Sequence, residues 1–511
     1  MTTRKSVLKF LIILIVVALA YVGINRWVQS NRSVPVTQGI AASSGEMGID
    51  PVSVDTFMTD NLKKTGLPGA AIGIVRNGKV VYTAAYGKGS DGRTLTADTQ
   101  MYVGSVSKSL TALAVMQLVD QGKIDLDRPV QAYLPDLVMR DKRFEEITVK
   151  ELLNQSSGLA DRGFPEMSLS QPHTLDDEMK RLQSARLVAD PGTQWNYHNP
   201  NYHILAELVE KMSEEPFGQY LSKHIFRPLG MNNTTSMSFA GEDGVVPKGH
   251  TMAYGIPVPL RALPHFVEGS GGVISTASDM ARWIEFQLNG EGPSGEPPLV
   301  TPSSLESMWV PSGPDHDYAF GWEQDQLPDG SIRIEHGGTL FTYSANAAFY
   351  PNAGDGFVVL LNSTSAIGAE QLSFFNGLDA IVRHQAPKAG TPTNLIADTL
   401  LGCLTITAVF LSIRGVRRAK VWAERMSTRG KIIPFVRNLP YVLLILLGVF
   451  LLQLFGFLLG GRDITWTGAL YGWPALVLCL AAAALGSAAL LITRTLAIIG
   501  VFKSLQIRER A

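Results

Sequence analysis

Apolar positions fall along this chain in two rhythms: unbroken runs near both ends, and short periods between them. Residues 10–24 are apolar and uncharged, and Arg4, Lys5 and Lys9 precede them. A positive start before a short apolar stretch is the anatomy of an export signal, and Ala18-Leu19-Ala20 offers a cleavage site. The run falls short of the ~20 residues that span a bilayer. Residues 1–30 therefore read as a cleaved signal peptide or as a retained N-terminal anchor, and either one sends the next segment of chain outside. Three further runs come late, at 395–413, 439–459 and 468–493. A buried core helix would account for any one of them. Three in close succession read as transmembrane helices.

Between the runs the pattern shortens. Residues 31–50 and 386–394 are polar or small without periodicity and read as linkers, which leaves 51–385 as one folded body. A helix is expected over 54–64. Apolar segments at 70–75 and 79–82 flank Asn77-Gly78, a pair that accepts positive φ at both positions and so marks a hairpin. Over 105–121 the spacing of Val106, Leu110, Leu113 and Ala114 lines one helix face, and Gly122 suits the left-handed residue beyond its end. Residues 125–240 read as helix and loop. Thr276-Ala277-Ser278-Asp279 marks another helix start. Strands are expected at 332–334, 345–350 and 356–361. Strands, then helices, then strands imply an α+β fold, an antiparallel sheet flanked by helices with a helical insertion.

Charge orients the late runs. Arg414, Arg417, Arg418, Lys420, Arg425, Arg429, Lys431 and Arg437 lie between the first two, against the single acid Glu424. Arg462 and Asp463 lie between the second and third; Arg494, Lys503, Arg508 and Arg510 come after the third. Positive loops stay cytoplasmic. The basic loop 414–438 and the tail 494–511 are thus expected inside, and the Arg462 loop and the body 51–385 outside. Asp398, near the outer end of its run, is expected to reach water. Composition agrees: charged residues are 17%, below the ~25% of ordinary soluble domains, and mean hydropathy is positive. Net charge is -1, which argues against nucleic acid as a partner. The two cysteines, Cys403 and Cys479, lie in the late apolar runs and exclude a disulfide framework or a cysteine zinc site.

Three short motifs carry candidate chemistry. Ser105-Val106-Ser107-Lys108 places a hydroxyl and an amine one helical turn apart on one face. A serine hydroxyl needs an adjacent base to become a nucleophile, and a buried lysine can lose its proton and serve. Tyr197-His198-Asn199 can direct a phenol and an amide into one cleft, with Lys108 as the cation the phenol needs. His336-Gly337-Gly338-Thr339 comes directly after the 332–334 strand, and its glycines permit close backbone approach. The N–H of Thr339 would then pair with that of Ser105 as an oxyanion hole. Nine histidines show no metal-ligand spacing. His198 and His203 read as surface or packing residues, and His265 as a possible cleft neighbour.

With these motifs in this order, and with the phrases Leu152-Leu153-Asn154-Gln155-Ser156-Ser157-Gly158-Leu159, Pro228-Leu229-Gly230-Met231 and Gly271-Gly272-Val273-Ile274-Ser275-Thr276, the chain resembles the class C-like serine hydrolases of the serine β-lactamase and penicillin-binding-protein superfamily. The likeness covers roughly residues 55–380. It implies a β-lactamase/transpeptidase-like fold in which the sheet sits beside an all-helical lobe with the cleft between them. It further implies that Ser105 forms the acyl-enzyme, that Lys108 and Tyr197 share the proton transfers, and that Asn199 orients substrate or Lys108. Gly337 and Gly338 would line the substrate path, Ser105 and Thr339 would hold the oxyanion, and no metal or cofactor is implied. His336 stands where many members have Lys; a mostly neutral histidine fits esterase- and peptidase-like members better than efficient β-lactamases. With its late spans the chain also resembles the FmtA-like wall proteins and the colibactin-maturing prodrug peptidase. Its partners would be a small-molecule or peptide substrate and the lipid bilayer. A non-catalytic penicillin-binding sensor or scaffold is the rival reading.

Overall fold

The computed structural model describes residues 2–41, 48–241, 244, 246–292, 297–314, 316–365, 368–429, 432–458 and 460–510. It opens with α1 (Thr2–Ser30), a continuous helix whose segment Leu8–Ser30 is long and apolar enough to cross a membrane. The expected first linker is not wholly irregular. Residues 36–41 form β1 (Val36–Ala41), an edge strand paired antiparallel with a neighbour at Tyr82–Tyr86. Its side chains are mostly exposed, so no apolar alternation announced it; backbone pairing holds it, with Gln38 Nε2 donating to Asp55 Oδ2 at 2.9 Å and Ile40 N to Thr83 Oγ1 at 2.8 Å. Residues 42–47 of that linker lie outside the described residues.

Helix α2 (Pro51–Thr65) starts where Asp50 accepts hydrogen bonds from the N–H groups of Val52 and Ser53. The expected hairpin comes next as β2 (Gly69–Arg76) and β3 (Lys79–Gly87), joined through Asn77 at φ 46° and Gly78 at φ 69°. A 3₁₀ turn, Gly104–Val106, then runs into α3 (Ser107–Asp120). The segment 125–240 is mainly short helices and loops, with α4 (Asn199–Ser213) its longest helix. Helix α5 (Ala277–Asn289) begins at the expected cap, Thr276 Oγ1 accepting from Asp279 N at 3.1 Å.

Four strands close the sheet: β4 (Glu323–Gln326), β5 (Ile332–Leu340), β6 (Tyr343–Tyr350) and β7 (Asp355–Leu361). The order is β1-β3-β2-β7-β6-β5-β4, antiparallel throughout. His336 to Thr339 therefore lie inside β5 and not after a strand, because the glycines keep pairing with β6. Period two divides the sheet into two cores. Phe357, Val359 and Leu361 face α2 and α6 (Ala369–Val382), packing on Phe57, Phe374 and Leu378. Val358 and Leu360 face α5 and the helical lobe, in the cluster that holds Trp283 and Trp322.

After the second linker come α7 (Thr393–Arg417), α8 (Ile432–Val449), α9 (Leu451–Leu458), α10 (Trp466–Gly472) and α11 (Pro474–Arg510). Spans long and apolar enough for a bilayer fall at Thr393–Arg417, Ile432–Val449 and Pro474–Ser504. Several boundaries shift from expectation. The run expected as one helix over 439–459 is divided at Phe450 between α8 and α9. Pro474 starts a new helix, so residues 468–472 belong to α10 rather than to the third span. Much of the basic segment 414–438 is helical: α7 carries Arg414 and Arg417, a short helix Ala419–Ser427 carries Lys420 and Arg425, and α8 carries Arg437. Straight-chain cations tolerate a helix well, so a run of charge does not by itself mean a loop. Lys431 lies outside the described residues. The tail likewise continues α11 to Arg510.

Body and bundle meet through specific contacts. Asp398 is buried, not hydrated as expected: it accepts from Tyr254 N at 2.7 Å and Trp473 Nε1 at 2.8 Å. Thr251 Oγ1 donates to Tyr471 O at 2.6 Å, and Tyr21 donates to Tyr254 O. The Phe10 and Phe410 rings stack at 4.0 Å, tying α1 to α7.

Candidate active site

Ser105 sits in the 3₁₀ turn at the head of α3, and the turn depends on two glycines. Gly104 has φ 53°, and a Cβ there would lie 2.8 Å from the N of Thr339. A Cβ on Gly338 would lie 2.0 Å from Val103 O and 3.0 Å from Ser105 N. Only glycine at both positions lets β5 and the turn approach this closely. The close approach puts Thr339 N beside Gly104 and Ser105 N beside Gly338, and both residues line one cavity.

One turn on, Lys108 is fully buried. Its Nζ lies 3.2 Å from Ser105 Oγ, 2.9 Å from Asn199 Oδ1 and 2.8 Å from Ser270 O. An ammonium would donate to all three; a neutral amine would donate to Asn199 and Ser270 and accept the serine proton. Burial pushes the Lys108 pKa well below its ordinary value, and the cation of Arg462 adds to the effect, while Glu166 opposes it.

Tyr197 lies across the cleft, its ring centroid 4.8 Å from Lys108 Nζ. Its hydroxyl is buried without a hydrogen-bond partner of ordinary geometry among the described residues. Burial raises its pKa, and the Ser105 hydroxyl and the Arg462 cation pull it back. Gln155, at φ 64°, holds this stretch in place: its carbonyl accepts from Asn196 N at 2.9 Å and its Oε1 from His198 N at 3.0 Å. Asn199, the first residue of α4, spans the site, with its Nδ2 2.6 Å from Glu166 Oε1.

Ser105, Tyr197, Asn199 and Thr339 line one cavity of about 580 Å³, together with His265. The structure thus brings together Ser105, Lys108, Tyr197, Asn199 and Thr339. His336 stays behind them. It is buried, does not line the cavity, and contacts Tyr318 Oη at 3.1 Å through Nε2 and Gly337 O at 2.6 Å through Nδ1. Burial first, and Lys108 second, push its pKa down to about 3, so it is neutral at pH 7. Gly337 lies exposed on the opposite side of the strand.

Several residues of the site had no sequence signal. Glu166 is buried 33 positions from Asn199, and Tyr318 is fully buried against His336. Arg462 reads in sequence only as a loop charge. His198 and His203 are core residues, as packing predicts: His198 bonds Asp161 at 2.6 Å, and His203 bonds Glu178 and Ser270 at 3.0 Å each. Asp161, Glu166 and His198 bring potential metal ligands within 4.8 Å of one another. The Arg462 guanidinium already bridges the two carboxylates, 3.1 Å from Asp161 and 3.2 Å from Glu166, so that grouping works as an arginine site.

The Beta-lactamase family description matches residues 54–379. The chain belongs to the Beta-lactamase family. Among curated relatives of this Beta-lactamase family member is Protein flp of Staphylococcus aureus, 28% identical over 342 residues, or 65% of this chain and 66% of that protein. The chain therefore spans just under two-thirds of that relative's length. Among solved structures, the octameric penicillin-binding protein homologue from Pyrococcus abyssi superposes with a TM-score of 0.57 at 26% identity, over 67% of this chain and 80% of that one. A D-stereospecific amidohydrolase from Streptomyces sp. matches with a TM-score of 0.50 at 25% identity, over 61% and 94%.

Proposed function

We propose that this Beta-lactamase family member is a membrane-tethered serine hydrolase that works outside the cytoplasm through an acyl-serine intermediate. Its substrates are amides or esters of D-amino-acid-containing cell-wall or peptide compounds. The observation that carries the reading is the buried Lys108 amine 3.2 Å from Ser105 Oγ, in surroundings that favour its neutral form.

Neutral Lys108 accepts the Ser105 proton as Oγ attacks the substrate carbonyl. The carbonyl π pair moves onto oxygen, where the N–H groups of Ser105 and Thr339 stabilise the negative charge. Lys108, with Tyr197 beside it, returns the proton to the departing amine or alcohol as the C–N or C–O bond breaks. Water, deprotonated by the same pair, then attacks the acyl-serine, and Ser105 leaves with its proton restored. His336, neutral and behind the cleft, supplies no charge for a substrate carboxylate, which argues for ester or peptide substrates over β-lactams.

Four helices of spanning length and the basic flanks of α7 and α8 support a multi-pass anchor with the body outside. The name of the Streptomyces structure supports the D-amino-acid class by likeness. A second reading, a prodrug-activating peptidase for an amphiphilic peptide, is favoured by the cavity itself. Phe455, Ile464, Ala469, Tyr471 and Trp473 of the bundle form one of its walls, an apolar surface continuous with the outer ends of the spans.

Fluorophosphonate or fluorescent-penicillin labelling of the full-length protein, with Ser105→Ala as control, tests the acyl-serine. Labelling that persists in Ser105→Ala refutes Ser105 as the nucleophile; wild-type protein that stays unlabelled at every pH refutes the enzyme reading in favour of a scaffold. Hydrolysis of D-alanyl esters and acyl-D-asparaginyl amides side by side separates the two substrate classes.

A further inference from the structure

The loop between α9 and α10 enters the hydrolase body. It leaves α9 through Gly460 and Gly461, at φ 72° and 89°, a left-handed pair that turns the chain sharply. Arg462 comes next, its side chain 27% exposed. Its Nε lies 3.1 Å from Asp161 Oδ2, its Nη2 3.2 Å from Glu166 Oε1, and its Nη1 donates to Tyr197 O at 2.9 Å. The guanidinium sits 5.5 Å from the Tyr197 ring centroid. Asp463 locks the loop from the other side: its N–H donates to Asp161 Oδ2 at 2.6 Å, and its carboxylate accepts from Ser168 N and Oγ at 2.7 and 2.8 Å.

We infer that Arg462 is a positioning residue of the active site, so that the membrane bundle completes the catalytic centre rather than merely anchoring it. The inference rests on the acyl-serine reading above. Three effects converge on Arg462. It holds Glu166, whose Oε1 also takes the Asn199 amide N–H; that fixes Asn199 with its carbonyl oxygen toward Lys108. It pins the Tyr197 backbone and stacks near the ring. Its charge, held by two buried acids, opposes a second cation on Lys108. Without the guanidinium, Glu166 would remain as an uncompensated anion near Lys108 and favour the protonated amine. The groups facing Lys108 from every side are Ser105, Tyr197, Tyr202, Asn199, the Ser270 carbonyl, Glu166, Arg462 and His336. Of these, Arg462 is the cation, because His336 is neutral at working pH.

The test uses full-length protein in detergent micelles or native membranes, with the rate of fluorophosphonate labelling of Ser105 measured against pH. Arg462→Ala moves the acidic limb of that profile to higher pH, costing about tenfold in rate below it for each pH unit of displacement. Added guanidinium chloride at millimolar level restores the rate. Arg462→Lys keeps the position of the limb but labels more slowly, because an ammonium cannot bridge Asp161 and Glu166 while also bonding Tyr197. A wild-type rate and profile in Arg462→Ala overturn the inference. So does a loss that is equal at all pH values and unrelieved by guanidinium, since that marks a folding defect. If wild-type protein does not label at Ser105 at all, the acyl-serine reading fails first, and that result is distinct from either outcome.

Discussion

The Beta-lactamase family body and the bundle of long apolar helices use similar apolar residues in opposite ways. In the body, Trp283, Trp322, Phe357 and Phe374 are all but fully buried, and both faces of the sheet are covered. In the bundle, Phe435, Phe457 and Leu485 are 73%, 79% and 72% exposed. The helices there touch along narrow seams that small residues permit: a Cβ on Gly486 would meet Ser412 Oγ at 2.3 Å, and one on Gly415 would meet Leu490 at 2.8 Å. Water dictates the first arrangement; under the proposed anchoring, lipid dictates the second. The difference teaches where to look for polar contacts in each region. Asp398, Arg462 and Asp463 of the bundle each bind the body, whereas Arg494 donates to Asn438 Oδ1 at 2.9 Å within the bundle itself.

The comparison breaks most sharply at the cleft. Lys108→Met removes the proposed base and should lower the Ser105 labelling rate by about 10²–10⁴-fold; a drop under tenfold would shift the base to Tyr197. Next, Trp283→Ala in the body core should destabilise by about 3–5 kcal/mol, read as an earlier denaturation midpoint of the full chain in detergent. At the rim, Asp398→Asn leaves one of two donors poorly matched and should cost about 1–3 kcal/mol, seen as earlier release of the bundle in limited proteolysis.

His336 offers a pH test of the same division. Its folded pKa is about 3 against ~6.5 unfolded, so below pH 6.5 the unfolded chain binds a proton that the folded chain refuses. Stability contributed by the neutral histidine is complete above 6.5 and declines as pH falls toward 3. The difference in melting temperature between wild type and His336→Gln should therefore shrink across that window; a difference that stays constant would mean the ring is not held neutral. The smallest effect is expected at Phe435→Ala, on the exposed side of the bundle, within ~0.5 kcal/mol in detergent.

Much of the fold was legible because its signals are local. Asn77-Gly78 predicts its hairpin, Thr276 its helix start, and the apolar runs their long helices. Ser105 and Lys108 were legible for the same reason, since helical spacing alone puts them on one face. Strand β1 was not, because an exposed edge strand carries no apolar alternation. Its register is set by pairing with β3 and by Thr83 Oγ1, which accepts from Ile40 N.

What the sequence determined by itself was the set of elements and the chemistry of three motifs, because helix period, strand period and capping act over a few neighbouring residues. Only the tertiary structure decided that His336 sits buried behind Tyr197 rather than in the cavity wall, that Glu166 stands behind Asn199, and that Arg462 reaches Glu166 from 296 residues further along the chain. Such pairings have no period. They exist only once chain folding has removed water from around charges that then need one another.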